Sequence, residues 1–159
     1  MLEKTTKRKG FAGRVMAVPL GDGWFAFARA LAFPLAEVYN LRSKEMPEVK
    51  DLANERVLFR IWLTKQAFTG QRWKQLGVLP LNLGEGSQPW FIKQSPGGTL
   101  YRTRDGAEEI PATWDEAALL EAAAVWDPEH VEDRLRDHFS GQPNKWVQSL
   151  RPKPISCQA

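Results

Sequence analysis

Short runs of apolar residues separated by turn residues fill the first two-thirds of the chain, and this pattern predicts β-strands. The runs "RVMAVPL" (14–20) and "WFAFARALAF" (24–33) flank the loop "GDG" (21–23), which predicts a β-hairpin. An extended second arm places small residues and large residues on opposite faces: Trp24, Ala26, Ala28 and Ala30 against Phe25, Phe27, Arg29 and Leu31. This division predicts a small curved sheet or a partly open, SH3-like barrel.

Four further runs extend the predicted β-structure. "AEVYNL" (36–41) is a third strand, and "RVLFRIWL" (56–63) is a central strand because it is rich in β-branched and aromatic residues. "RWKQLGVLPL" (72–81) is predicted to pair with that central strand. "PWFIKQ" (89–94) and "TLYRTR" (99–104) predict a second hairpin around "SPGG".

After residue 104 the pattern becomes helical. "TWDE" (113–116) has the spacing of a capping box, and "AALLEAAAV" (117–125) has high helix propensity. A second helix is predicted to begin at Asp127-Pro128 and to end at Gly141. Its apolar stripe consists of Val131, Leu135 and Phe139. The charged residues predicted to point away from this stripe are Glu132, Asp133, Arg136 and Asp137. The fold class is therefore α+β, with a β-rich N-terminal part followed by two C-terminal helices.

The length of 159 residues predicts one domain that buries about 68–70 % of its unfolded surface. We expect a flexible basic N-terminus (1–12), a single domain (13–150) and a mobile tail (151–159). No apolar run approaches the ~20 residues that span a bilayer, and no signal-peptide segment follows the basic start. A cytoplasmic location without membrane contact is therefore expected. The single cysteine, Cys157, excludes an intrachain disulfide.

Charge is strongly segregated along the chain despite a net charge of only +3. Residues 1–104 contain 17 Lys and Arg residues against 8 Asp and Glu residues, whereas residues 105–137 contain 11 acidic residues against two arginines. Segregated charge steers partners when it forms one surface. The simpler interpretation of each acidic residue is a solvated helix face.

Motifs for catalysis are missing from the sequence. It contains no phosphate-binding loop, no nucleophile elbow, no paired Cys-x-x-Cys and no His-Glu-x-x-His. His130 and His138 are eight residues apart on the second predicted helix, which turns them about 80° from one another and suits one metal centre poorly. We therefore expect no catalytic residue, no metal and no cofactor, and an unrecognised enzyme is the least favoured class.

A nucleic-acid-binding module is an alternative, because the basic part of the chain interleaves cations with aromatic residues. Such mixtures bind single strands by stacking bases and contacting phosphates. The residues concerned are Trp62, Arg72, Trp73, Lys74, Trp90, Lys93, Tyr101, Arg102 and Arg104. Against this alternative, a strand places Trp73 on the face opposite Arg72 and Lys74, so that a core position is favoured for Trp73.

The sequence resembles the immunity protein 26 family of bacterial polymorphic toxin systems over residues 13–147. The likeness is carried by "AVPLGDGWFAFAR" (17–29), by "GQRWKQLGVLPL" (70–81) and by "WDPEHVEDRL" (126–135), in that order. It implies a cytoplasmic immunity protein, or antitoxin, that neutralises a cognate toxin domain, including toxins delivered by contact, through tight non-catalytic binding.

A basic nuclease is one candidate for that toxin, since an acidic block presented as one surface would speed its association and mimic phosphate. Nucleic acid itself is then the less favoured partner. Trp114 and Trp126 flank the first predicted helix and are expected to be structural. The residues predicted to contact the toxin lie in the acidic block: Asp105, Glu108, Glu109, Glu129, Glu132, Asp133, Arg136 and Asp137.

Overall fold

The computed structural model describes residues 10–82, 84–85, 87–104 and 107–155. Its strands, in chain order, are β1 (Arg14–Gly21), β2 (Trp24–Ala30), β3 (Leu35–Ser43), β4 (Val57–Leu63), β5 (Lys74–Val78), β6 (Phe91–Gln94), β7 (Leu100–Arg104), β8 (Glu108–Pro111), β9 (Glu121–Ala122) and β10 (Val125–Trp126). Its α-helices are α1 (Trp114–Leu119), α2 (Pro128–Ser140) and α3 (Lys145–Leu150), and two 3-10 helices span Val49–Asn54 and Lys65–Phe68.

The strands form two sheets, which confirms the predicted α+β class. The first sheet has the order β10-β4-β3-β2-β1-β5, and the second has the order β8-β7-β6-β9. Within the described residues the two edge strands of the first sheet, β10 and β5, do not pair, so the sheet stays open rather than closing into a barrel.

The first hairpin forms where the sequence predicts it. Strands β1 and β2 are antiparallel, and Gly21 lies opposite Trp24, which leaves a two-residue loop. The loop residues Asp22 and Gly23 have φ angles of 55° and 81°. Positive φ at both central residues defines the type I′ turn, whose twist matches that of the flanking strands, and Asp-Gly is a favoured sequence for it.

The predicted pairing of the segment at 72–81 with β4 is wrong. Only β5 forms there, and it pairs antiparallel with β1 at the opposite side of the sheet. A hairpin needs a short connection, but the link between β4 and β5 includes the 3-10 helix Lys65–Phe68. This helix buries Ala67 and Phe68 and carries the chain across to β1.

The two faces of the first sheet pack against different elements, as the predicted division of small and large residues implies. Ala26, Ala28 and Ala30 belong to the core cluster that includes Val131 and Leu135 of α2. Small side chains allow the helix to approach the sheet closely. On the opposite face, Phe27 packs with Tyr39 and with Leu52 of the first 3-10 helix.

The predicted helix over 117–125 is correct only up to Leu119. The capping box forms, because the Thr113 hydroxyl accepts a bond from the Glu116 amide and the Glu116 carboxylate accepts one from the Thr113 amide. Beyond Leu120, β9 pairs in parallel with β6 and β10 pairs in parallel with β4. The short segment 121–126 therefore joins both sheets, and these pairings override the helix propensity of its alanines.

The second predicted hairpin forms from β6 and β7, and β8 extends its sheet. Helix α1 covers one face of this sheet, where Ala117 packs on Ile92 and Leu100. From the other side, Phe91 contacts the ring of Trp62, with the ring centroids 4.3 Å apart.

The end of the described chain is bonded to this second unit. Arg151 donates to the carbonyl oxygens of Leu120, at 2.7 Å, and of Ala117, so that it caps the C-terminal end of α1. Gln94 exchanges two hydrogen bonds with the backbone of Lys153, at 2.7 and 3.0 Å.

The described part of the chain contains no helix with the length and apolar content needed to cross a bilayer. Residues 1–9 of the predicted basic start and 156–159 of the predicted tail lie outside the described residues.

Candidate functional site

The structure separates the predicted contact residues into two groups, and Asp105 lies outside the described residues. The first group, Glu108 and Glu109, lies on β8 at the edge of the second sheet. Both side chains face cations of the neighbouring strands: Glu109 contacts Lys93, and Glu108 lies 3.7 Å from Arg104.

The second group lies on α2, which ends as predicted at Gly141 with a left-handed φ of 73°. Asp133, Arg136 and Asp137 line one cavity of about 360 Å³, together with Asn144 and Trp146 near the start of α3. We call these five residues the helix site. Glu129 is exposed in the first turn of the same helix. Three of the predicted residues are thus brought together in a single concave surface.

The helix site is rigidly ordered by hydrogen bonds. The Trp146 indole N–H donates to Asp133 at 3.1 Å, and the Asn144 amide donates to Asp137 at 2.8 Å. Asn144 also caps α3, because its side-chain oxygen accepts a bond from the Val147 amide. The Trp146 ring stacks on His130 with the centroids 3.8 Å apart. The site therefore presents two fixed carboxylates beside a half-buried indole, an arrangement suited to binding.

The hydrogen bond from Trp146 lowers the pKa of Asp133, and Arg136 lowers it further, against the opposing effect of burial. A carboxyl with a depressed pKa stabilises the fold above its unfolded pKa and loses this effect as the pH falls. We expect Trp146→Phe to raise the pKa of Asp133 towards the ordinary value of about 3.9. The free energy of unfolding of the variant should be lower than that of the parent at neutral pH, and this difference should shrink as the pH falls.

Carboxyl-carbon NMR titration of Asp133 and urea unfolding at two pH values would measure both effects. Trp114→Phe is the matched control, since Trp114 lies on α1. An unchanged pKa of Asp133 in Trp146→Phe would count against the assigned bond.

Glu132 does not belong to the helix site, and the prediction that it points to solvent is wrong. It is only 4 % exposed. Its carboxylate accepts two bonds from the Arg72 guanidinium, at 2.7 and 2.8 Å, and one from the buried Trp73 indole at 2.9 Å. Glu132 therefore fastens α2 to the residues that precede β5. The prediction that Trp73 is a core residue is confirmed.

A buried polar cluster on the other face of the first sheet was not identified from the sequence. Glu37 on β3 accepts bonds from Arg29 at 3.0 Å, from the Tyr39 hydroxyl at 2.9 Å and from Arg60 at 3.3 Å. Arg29 also pairs with Glu85 at 3.1 Å. We call these five residues the polar cluster. They line a cavity of about 490 Å³ between the sheet, the first 3-10 helix and the loop that follows β5.

Hydrogen bonds within the chain use nearly all the capacity of the cluster's buried members. The Arg29 guanidinium contacts Glu37, Glu85 and the carbonyl oxygens of residues 79 and 80. Burial, followed by the charge of Glu37, raises the pKa of Tyr39, so its hydroxyl stays protonated and donates. The sequence signal for this cluster is a charged residue within an apolar run: Arg29 interrupts one run and Glu37 interrupts the next. Its satisfied geometry indicates that it fixes the loop on the sheet.

Within the described residues, the acidic block is divided between β8, α1, β9 and α2 and does not present a single acidic surface. Many of its carboxylates pair with cations, most of which come from elsewhere in the fold. The ion pairs concerned are Glu116 with Arg102, Glu121 with Arg134, and Glu132 with Arg72, besides the two pairs on β8. Acidic and basic residues that are separated along the sequence therefore lie largely side by side in the folded chain.

The aromatic residues of the nucleic-acid alternative are mostly engaged in internal contacts. Trp73 is fully buried. Trp62 packs on Phe91 and donates its indole N–H to Gln88 at 2.9 Å. The Trp90 ring carries the guanidinium of Arg104 at 4.0 Å. Little ring surface is left on these three residues for stacking bases.

Fold and site together define an α+β domain whose preformed polar recesses suit binding. The family model of immunity protein 26 matches residues 12–101, and the chain belongs to this family. No curated protein and no solved structure gives a match. The matched segment holds β1 to β6, the start of β7 and the polar cluster. The helix site lies beyond it.

Proposed function

We propose that this protein neutralises a cognate toxin domain by binding it directly, without catalysis. The observation that carries the proposal is membership of the immunity protein 26 family, since the family's name assigns protection against a toxin. A binding mechanism agrees with the structure, because the helix site and the polar cluster are held by hydrogen bonds and need little ordering on association. Preformed surfaces lose less entropy when they bind.

The helix site supplies the contact surface in this proposal. Its indole belongs to a residue type enriched among interface hot spots, and the fixed carboxylates of Asp133 and Asp137 would face cations of a basic toxin such as a nuclease. Glu129 adds an exposed acidic residue on the same helix. Glu132 is left out, because it is buried and bonded to Arg72 and Trp73, whereas the Asp133 side chain is 40 % exposed.

Co-expression with the toxin domain encoded beside the gene for this protein tests the proposal. We expect growth to be rescued and a stable complex to be purified. Rescue without any complex, or no rescue at all, would contradict neutralisation by direct binding.

The contact surface is tested by a triple variant, Glu129→Gln, Asp133→Asn and Asp137→Asn. Loss of three charges should slow association with the toxin domain about tenfold at low ionic strength, with a smaller effect at high salt. The matched control, Glu45→Gln, Glu48→Gln and Asp51→Asn, removes the same charge from exposed positions near the first 3-10 helix. Equal association rates for the two triple variants would exclude the helix site.

A further inference from the structure

A groove lies where the two sheets meet, and neither the family match nor the proposed function uses it. It has a volume of about 310 Å³ and is lined by residues of β4, of the segment 89–91 and of the segment 119–121. We call it the junction groove. Its walls include Leu58, Pro89, Trp90 and Leu119, and Arg60 lies at its edge.

One apolar side chain of the junction groove is largely open to solvent. Leu119, which ends α1, is 86 % exposed and lines the same groove as Trp90. Helix α1 stops at this residue, and the chain turns into β9, so that the leucine side chain stays outside the core. The exposed leucine at the rim of the groove is therefore available for contact with a partner.

Two guanidinium groups lie over the Trp90 wall of the groove. Arg102 and Arg104 alternate on β7 and therefore point to the same face of the second sheet. Their guanidinium carbons lie 4.8 and 4.0 Å from the centroid of the Trp90 ring. Arg60 is held by Glu37 of the polar cluster and lines both cavities. Arg60 and Glu121 line the groove, and Glu121 is paired with Arg134. Positive charge from the two arginines of β7 borders the hydrophobic surface at its Trp90 wall.

The arginines of β7 retain donors that the described chain does not use, in contrast to Arg29. A guanidinium has five N–H groups. The contacts to carboxylates are long, at 3.4 Å from Arg102 to Glu116 and 3.7 Å from Arg104 to Glu108.

We propose that the junction groove docks a segment of the partner protein that carries a bulky apolar side chain next to a carboxylate. The apolar side chain would pack on Leu119 and the neighbouring apolar lining of the groove, and the carboxylate would accept bonds from the arginines of β7. The inference rests on the proposed function, because it takes the cognate toxin domain as the partner. Tryptophan and arginine are the residue types most enriched at the centres of interfaces.

A protein segment fits the groove better than a nucleic acid does. The Trp90 ring is already stacked by guanidinium groups, which leaves less of its face for a base. The other aromatic lining residues, Phe59 and Phe91, are buried in the core, so the groove offers a recess for a side chain rather than a stacking platform.

The test compares two double variants for binding of the toxin domain encoded by the adjacent gene. Arg104→Glu with Leu119→Glu changes the groove, and Lys74→Glu with Val78→Glu makes the same chemical changes on β5, at the far edge of the first sheet. We expect the groove variant to raise the Kd roughly thirtyfold or more and the β5 variant to leave it within about twofold. Both variants alter exposed side chains, and matching thermal midpoints would show that each folds.

The charge of the partner segment is tested by two single substitutions. Arg104→Glu should weaken binding more than Arg104→Gln if a carboxylate occupies the groove, and the difference should shrink at high salt. Stronger binding by Arg104→Glu would overturn the proposed chemistry.

The remaining outcomes separate the two proposals. If the parent protein binds the toxin domain and the groove variant binds it equally well, only the groove inference fails. If the parent does not bind, direct neutralisation fails, and the groove inference fails with it. Binding of a mixed 20-nucleotide single-stranded DNA by the parent but not by the groove variant would overturn the inference in favour of nucleic acid.

Discussion

Glu37→Ala is expected to lower the free energy of unfolding by about 3–5 kcal/mol, the usual cost of breaking a buried ion pair by removal of one partner. The side chains of Arg29 and Glu37 are only 6 % and 5 % exposed. The variant would leave the Arg29 guanidinium largely buried without its main counter-charge, and the Tyr39 hydroxyl would lose its acceptor. Urea unfolding followed by tryptophan fluorescence measures the change.

The double variant Arg29→Met, Glu37→Leu separates the pair from its individual charges. Because both charges leave the interior together, we expect a smaller loss than in Glu37→Ala, and the difference between the two variants reports the unpaired charge. Arg60 also loses its contact with Glu37 in both variants, but its side chain is nearly half exposed. A loss below about 1 kcal/mol in Glu37→Ala would show that the polar cluster does not hold the loop on the sheet.

Trp73→Ala is expected to cost about 3–5 kcal/mol, as large-to-small substitutions of core aromatics do. Trp73 is fully buried in the cluster that α2 covers. Its removal leaves a cavity beneath the helix and takes one donor from the Glu132 carboxylate. Thermal and urea unfolding measure the loss, and complete loss of a cooperative transition is the extreme form of the same result.

Two further variants test how much of this loss of stability comes from the hydrogen bond and whether it depends on the core position of the tryptophan. Trp73→Phe keeps most of the ring but removes the N–H donor, and it should cost about 1–3 kcal/mol, because the carboxylate is buried. Trp114→Ala is the matched control, since Trp114 is 48 % exposed on α1, and it should cost less than about 0.5 kcal/mol. Equal losses in Trp73→Ala and Trp114→Ala would contradict a core role for Trp73.

Elements with local signals are predictable from the sequence. The Asp22-Gly23 turn supplies the backbone angles that its hairpin requires, and the Thr113 capping box starts α1. Both depend on residues within four positions of one another, so a short window of sequence contains the whole cause. The alternation of alanines and large residues on β2 likewise shows which residues share a face.

Elements decided by distant contacts are not predictable in this way. The segment 121–126 has alanines that favour a helix, yet its backbone pairs with strands from earlier in the chain. Glu132 lies on the polar side of a helical wheel, but Arg72 and Trp73 approach it from 60 and 59 residues away. The polar cluster likewise requires β2, β3 and β4 to be placed side by side.

The candidate site likewise combines features that local sequence predicts with features that depend on distant contacts. Helical periodicity correctly brings Asp133, Arg136 and Asp137 to neighbouring positions on α2, but the indole of Trp146 that completes the helix site comes from α3, which was not predicted. The junction groove is formed by segments of both sheets and by the end of α1. Sequence patterns identify the single elements of such a site, whereas the recess itself arises only from their packing.

The parallel pairings of residues 121–126 have a consequence for local opening of the fold. Since β9 belongs to one sheet and β10 to the other, fraying of this segment would expose the outer edges of both β6 and β4. We therefore expect backbone amides along these edges to share one opening event in hydrogen exchange, so that the two sheets open as one cooperative unit. A toxin seated over the junction would cover the segment and keep both edges closed.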